Sequence, residues 1–312
     1  MKSKTFNKGI RQVILSSLLM LSFWGYSQER DSLKISLAEW SLHRSIESGK
    51  VSNLDFPRIA REQFNLDAIE YVNQFFENKA GDLKYLQSMK DSCAKYRVNG
   101  LLIMVDGEGN LSSLNPNEQL KAIESHKKWV DAAKFLGCHS IRVNLHGDGT
   151  EEEWVKASIK GLKPLVDYGA RRQINIIVEN HGQWSSKGEL IVRIMKSIDS
   201  PWCGTLPDFG NFCVRRRDGD MWSSPCVEYY DPYLGVDEMM PFARGVSAKT
   251  RQFDMKGNES EIDYIKMLHI VSKHNYHGYL GIEYEGEDPD EVLGIQKTIS
   301  LLRTTWTNLS KE

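Results

Sequence analysis

Hydrophobic and polar positions along the chain fall into a repeating unit: a short apolar, β-rich run, a polar stretch, then a segment with helical spacing. The runs that read as strands are 34–39, 67–72, 100–105, 140–145, 175–179, 204–208, 245–249 and 279–284, their starts about 30–40 residues apart. Between them, Leu120, Ile123, Trp129, Ala132, Ala133 and Leu136 form one helical stripe. Trp154, Ile159, Leu162 and Val166 form a second, and Ile262, Ile265, Leu268 and Val271 a third. Strand–helix alternation predicts parallel strands, because each crossover has to be made by a helix. Eight units in about 280 residues predict an α/β chain folded as a single (β/α)8 TIM barrel. A doubly wound open sheet is the alternative, but no glycine-rich turn follows the first strand, where Trp40-Ser41-Leu42-His43-Arg44 stands instead.

Residues 1–27 stand apart from this pattern. Lys2, Lys4, Lys8 and Arg11 precede the apolar run from Val13 to Trp24, and Gly25 and Ser27 are small residues suited to cleavage before Gln28. The expected organisation is a signal peptide over 1–27 and a barrel domain over 28–312, with an uncleaved anchor as the alternative. The expected location is outside the cytoplasm, periplasmic or secreted. The leader holds four of the 40 Lys and Arg residues and none of the 42 Asp and Glu, so the rest carries −6. An acidic body does not suit nucleic acid, which needs a basic face. No stable membrane association is expected once the leader is removed.

The five cysteines include no Cys-x-x-Cys pair, which argues against a zinc ribbon or a thioredoxin-like site. Cys213 and Cys226 are placed to close a loop in an oxidising compartment; buried thiols are the expectation for most of the rest. Asn110, Asn258 and Asn308 each begin an Asn-x-Ser sequon.

In a barrel, chemistry belongs where strands end. Those ends offer Glu39, His43, Glu70, Asp106, Asn144, His146, Glu179, Asn180, His181, Asp208, Asn211, Lys249, Glu283 and Glu285. Glu179, Asp208 and Glu283 stand out, since each closes an apolar run at an equivalent place in the repeat. Three carboxylates at one mouth repel one another unless a cation offsets them, and a divalent metal with hard oxygen ligands is the simplest such cation.

These residues also carry a resemblance. Val178-Glu179-Asn180-His181, Pro207-Asp208-Phe209-Gly210-Asn211 and Gly278-Tyr279-Leu280-Gly281-Ile282-Glu283-Tyr284-Glu285-Gly286 resemble the xylose isomerase-like TIM barrels, or sugar phosphate isomerases/epimerases, over about residues 33–305. The resemblance implies a divalent metal (Mn, Mg, Zn or Co) held by Glu179, Asp208 and Glu283. The family's fourth ligand, a histidine on strand 7, is Ser247 here; three carboxylates plus water, or a neighbour such as His181 or Gln252, are the alternatives. Glu179 and Glu283 are implied as the acid/base pair. Lys249, which matches the family lysine, and His181 are expected to stabilise an oxyanion or protonate a departing oxygen, with a substrate-orienting role as the alternative for His181. Glu70, Asn144, His43, Trp184 and Asn211 are expected to contact substrate, and Trp40 and Trp222 to offer stacking faces alongside Trp184.

The implied function is an exported, metal-dependent isomerase or epimerase working through an enediolate. The acidic stretch Glu285-Gly286-Glu287-Asp288 disfavours a phosphate, so a non-phosphorylated sugar or keto-sugar is expected. The alternatives are a lyase cleaving 3-keto-glycosides by β-elimination and a catalytically silent sugar-binding barrel. A phosphodiesterase with three metals would need more histidines than these 8. The expected partner is a small carbohydrate, with a homo-oligomer left open.

Overall fold

The computed structural model describes residues 33–147, 149–288 and 290–311. The leader segment 1–27 therefore lies outside the described residues. Eight parallel strands make the main sheet: β1 Lys34–Ala38, β2 Ala68–Val72, β3 Asn99–Met104, β4 Ser140–Val143, β5 Asn175–Glu179, β6 Cys203–Leu206, β9 Val246–Thr250 and β10 Tyr279–Tyr284. Their order is β6-β5-β4-β3-β2-β1-β10-β9. Edge strands β6 and β9 face each other through the parallel bridges Thr205–Ala243 and Asp208–Ser247. There Ser247 N–H donates to the Pro207 carbonyl at 2.9 Å, and Phe209 N–H donates to the Ser247 carbonyl at 3.1 Å. Pro207 has no N–H to give, which is why this seam is bridged rather than laddered. The result is the expected (β/α)8 barrel.

The helices are α1 His43–Glu47, α2 Phe56–Phe64, α3 Leu83–Tyr96, α4 Pro116–Leu136, α5 Glu151–Ala170, α6 Gly188–Ile198, α7 Pro232–Met239, α8 Tyr264–Lys273 and α9 Glu291–Leu309. Their starts follow local chemistry. Thr150 and Glu153 form a capping box at α5, and the Asp263 carboxylate accepts two backbone N–H groups at α8. No helix among the described residues is long and apolar enough to cross a membrane.

Strand parity divides the core. Ile141 and Val143, Ile176 and Val178, Val246 and Ala248, and Leu280 and Ile282 pack outward in the main core cluster. The alternate positions point inward. A small apolar cluster of Ala38, Val72, Leu102, Met104, Ile177 and Leu206 belongs to this inner set.

One element departs from the expected plan. Two further strands, β7 Cys213–Arg216 and β8 Cys226–Tyr229, pair antiparallel in a hairpin after β6. Arg215-Arg216-Arg217 gives no alternation from which to read a strand; a Cys213–Cys226 disulfide clasps the pair instead. Cys93, Cys138 and Cys203 are free thiols, the last two buried.

Candidate active site

Glu70, Arg142, Glu179, Ser247, Lys249 and Glu283 all occupy inward positions of their strands, and Asp208 continues the inward parity of β6. All seven are buried. Glu179, Asp208 and Glu283 offer carboxylate oxygens that lie within 4.8 Å of one another. Local bonds aim them. Asp208 N–H donates to Asn180 Oδ1 at 2.7 Å, Asn180 Nδ2 donates back to the Asp208 carbonyl at 3.0 Å, and Gly210 N–H donates to Asp208 Oδ1 at 2.7 Å. Asn211 Nδ2 donates to Glu179 Oε1 at 3.2 Å.

Two buried cations thread between the acids. Arg142 Nε lies 2.8 Å from Glu179 Oε2, in an orientation that completes no hydrogen bond, while Nη1 donates to Asp106 Oδ1 at 2.8 Å. Lys249 Nζ lies 3.1 Å from Glu285, 3.5 Å from Asp208 and 3.7 Å from Glu283. Burial works against both charged forms, yet the surrounding carboxylates raise both pKa values, so both remain cations. Burial alone would lift the Asp106 and Glu285 carboxyls. Arg142 instead holds Asp106 below its ordinary value, and Lys249 with Arg251 brings Glu285 down to about 2.

Glu179 and Glu283 go the other way. Burial pushes Glu283 up to about 7 and Glu179 well above the usual carboxylate range, despite Lys249 and Arg142. Ser247 Oγ is 2.7 Å from Asp208 and 2.6 Å from Glu283. A hydroxyl has one proton to give, so the second contact is a hydrogen bond only when that carboxyl carries a proton. The serine therefore bridges the two acids in the place where the related pattern has histidine.

Glu283 lines a cavity of about 490 Å³ together with, among others, Trp40, Asp106, Arg142, His146, His181 and Trp222, while Glu179 and Asp208 are buried and do not line it. Burial keeps both imidazoles neutral, His181 most strongly, with Arg142 adding to the effect. Neither His146 Nδ1 nor His181 Nδ1 has a hydrogen-bond partner among the described residues. The other expected contacts are dispersed. Asn211 lines the cavity, whereas Asn144 donates to Asp106 Oδ1 at 2.6 Å from just below the surface. Glu70 sits deeper, taking the Ser36 hydroxyl at 2.6 Å, pressed so close to Gly281 that a Cβ there would meet its oxygens at 2.5 and 2.6 Å. His43 stacks on Trp40 at 4.8 Å between ring centroids, and its Nδ1 lies 2.7 Å from the Trp40 carbonyl oxygen. Trp184 donates to the Gly149 carbonyl at 3.1 Å. Neither His43 nor Trp184 lines the cavity. Arg142 was not singled out from the sequence, although its position between outward-packed Ile141 and Val143 places a charge in the lumen.

The residues present fit a divalent cation. Five clustered acids (Asp106, Glu179, Asp208, Glu283, Glu285) face three cations (Arg142, Lys249, Arg251), an excess a dication would offset. Glu179 Oε2 is buried without a hydrogen bond. The donor set is oxygen only, which suits a hard ion. His181 is not in the cluster of converging ligand atoms.

Comparison with known proteins agrees with this architecture. The profile described as xylose isomerase-like TIM barrel matches residues 59–305. The chain superposes on 3-keto-D-glucoside 4-epimerase from E. coli with a TM-score of 0.65 at 13% identity, covering 88% of this chain and 100% of that one. It superposes on D-allulose 3-epimerase from Methylomonas sp. at 0.64 and 16%, covering 88% and 98%. A third likeness, to the IolI protein with a bound zinc atom, has a TM-score of 0.64 at 15%, covering 89% and 98%. No curated protein matches the chain in sequence.

Proposed function

The chain belongs to the xylose isomerase-like TIM barrel family, and from that premise we propose that it is a metal-dependent isomerase or epimerase of a non-phosphorylated sugar or keto-sugar. The observation that carries this reading is the convergence of the buried Glu179, Asp208 and Glu283 carboxylates within 4.8 Å of one another, with Glu283 lining the cavity. The epimerases among the structures that share its fold support a sugar substrate.

Glu179, Asp208 and Glu283 would hold the cation, which supplies Lewis-acid polarisation of the sugar carbonyl. The chain's own groups do the rest. One of Glu179 and Glu283 takes the proton from the carbon beside the carbonyl, and the other returns a proton to the resulting enediolate. Lys249, a permanent cation beside Glu283, offsets negative charge as it develops on oxygen. Asn211 ties Glu179 towards Lys249, with its Oδ1 3.4 Å from the ammonium. The neutral His181 and His146 both line the cavity, and the buried Nδ1 of each has no hydrogen-bond partner among the described residues.

Charge disfavours a phosphorylated substrate. Phosphate in this fold commonly sits after strands 7 and 8, and here Glu285 occupies that region as a carboxylate. Of the arginine run, Arg216 spends its donors on the Met221 and Ser224 carbonyls, and Arg215 pairs with Glu228. Export is part of the proposal. The leader pattern and the Cys213–Cys226 disulfide, of a kind that persists in oxidising compartments, support it.

The test is solvent exchange. Protein loaded with Mn, Mg, Co or Zn is incubated with keto-sugars and 3-keto-glycosides in deuterated water. Deuterium uptake beside the carbonyl, abolished in Glu179→Gln and Glu283→Gln, is expected. Release of an aglycone would point to elimination, and binding without exchange to a silent barrel.

A further inference from the structure

We propose that the hairpin inserted after β6 builds a second binding subsite, outboard of the carboxylates, for a flat apolar group joined to the reacting sugar through its anomeric oxygen. This rests on the sugar reading above and extends it from a sugar to a glycoside.

Trp222 carries the argument. Its side chain is 48% exposed, and no other tryptophan among the described residues is so open. Leaving an indole in water forgoes the roughly 25 cal/mol per Å² that burial supplies, so a solvated Trp belongs on a flexible tip unless something holds it. Here much holds it. The Cys213–Cys226 disulfide ties the first residue of β7 to the first residue of β8, diagonally across the hairpin. Arg216 reaches across its tip, Nε donating to the Met221 carbonyl at 2.8 Å and Nη1 to the Ser224 carbonyl at 2.6 Å. Asp220 Oδ1 accepts Ser223 N–H at 2.5 Å and Ser224 N–H at 3.1 Å. A rigidly mounted, exposed aromatic at a cavity wall is pre-organised for a ligand, because its ordering cost is already met on folding.

The direction of the subsite follows from the order of residues. Glu179 is buried; two residues on, His181 is partly exposed; and the Trp222 ring stands edge-on to His181 at 4.8 Å. The indole therefore lies further out than the reacting position. The His181 ring, which lines the cavity beside the indole, marks the passage from one to the other. Met221 extends the apolar wall. At about 30 Å³ per water, a cavity of about 490 Å³ holds about sixteen waters, more room than the twelve non-hydrogen atoms of one hexose fill. Arg216, which braces the loop, spends donors on backbone carbonyls, and Arg215 pairs with Glu228. An aryl ring and the C–H face of a second sugar share the required flat apolar chemistry.

The test compares affinities by calorimetry on Mn-saturated protein. The probes are phenyl and methyl pairs of β-glucosides, β-galactosides and β-xylosides, together with the matching disaccharides. At least one phenyl glycoside or disaccharide is expected to bind about tenfold tighter than its methyl partner. Trp222→Ala should bring that ratio close to one, and Trp222→Phe should restore most of it. No preference in any pair, or a preference that survives Trp222→Ala, overturns the subsite. Preference for the phenyl member alone identifies an aryl aglycone; preference for the disaccharide alone identifies a second sugar. The exchange assay on the parent protein reports separately on the enzymatic reading, so either conclusion can fail without the other.

Discussion

Arg142 Nε stands 2.8 Å from Glu179 Oε2, a buried guanidinium against a buried carboxylate at the centre of the barrel mouth. The same guanidinium reaches Asp106 through Nη1. One side chain from β4 thus joins acids from two other strand ends.

Removing Arg142 leaves two acids facing the cavity without their cation. Arg142→Met is expected to destabilise the fold by about 3–5 kcal/mol. Much of that loss should return in Arg142→Met/Glu179→Gln, where one of the stranded charges is gone. Chemical denaturation of the four proteins of the cycle measures it; independent, additive losses would contradict the pairing.

The oxygen-only donor set predicts a preference among metals. The parent should retain Mn or Mg in preference to Zn at equal free concentrations. Ser247→His, which puts a nitrogen donor beside Asp208 and Glu283, should shift retention towards Zn. Elemental analysis after competitive dialysis reads the ratio. Asp208→Asn should lower total metal to near zero.

Lys249 competes with the metal for the same acids. Lys249→Met removes a cation 3.5 Å from Asp208 and 3.7 Å from Glu283. The variant is expected to melt lower than the parent without metal and to gain more in Tm when Mn is added. Exchange at the sugar α-carbon should fall at least about a hundredfold, as for removal of an oxyanion-stabilising group. An equal Tm gain in both proteins would show that the lysine and the metal do not share ligands.

Glu70 sets a pH dependence. Burial pushes its carboxyl up to about 7 from 4.5, with Ser36 the largest opposing influence. The folded state therefore holds this proton more tightly than the unfolded chain. The associated stability is full below pH 4.5 and is lost as pH rises through about 7. Glu70→Gln keeps a carbonyl for the Ser36 hydroxyl and carries no charge. It should match the parent near pH 4.5 and exceed it at pH 8 by up to about 3 kcal/mol. Urea midpoints at the two pH values check the sign.

The barrel and its acids were legible because periodicity and parity carry them. Apolar runs ending in Glu179, Asp208 and Glu283 mark both the strand and the end at which chemistry sits. Lys249 was legible for the same reason. Arg142 was not, because attention fell on strand ends and it lies inside β4, one step before them. Its inward parity between Ile141 and Val143 was the available signal. The hairpin was hidden more deeply. Its strands are four residues each, without alternation, and only the pairing of Cys213 with Cys226 hinted at it. The position of Trp184 depends on packing against Gly149, 35 residues away, which no local pattern encodes, while His43 is turned onto Trp40 three residues before it within one short turn.

The bridged seam between β6 and β9 has a mechanical consequence. Asp208 and Ser247 face each other across the one joint of the barrel that lacks a full ladder, and Glu283 reaches the same serine from the next stave. Whatever draws Asp208 and Glu283 together also acts as a hoop, tightening the cask at its loosest joint. Filling the mouth should therefore slow amide hydrogen exchange at Phe209 and Ser247 more than at any strand on the far wall.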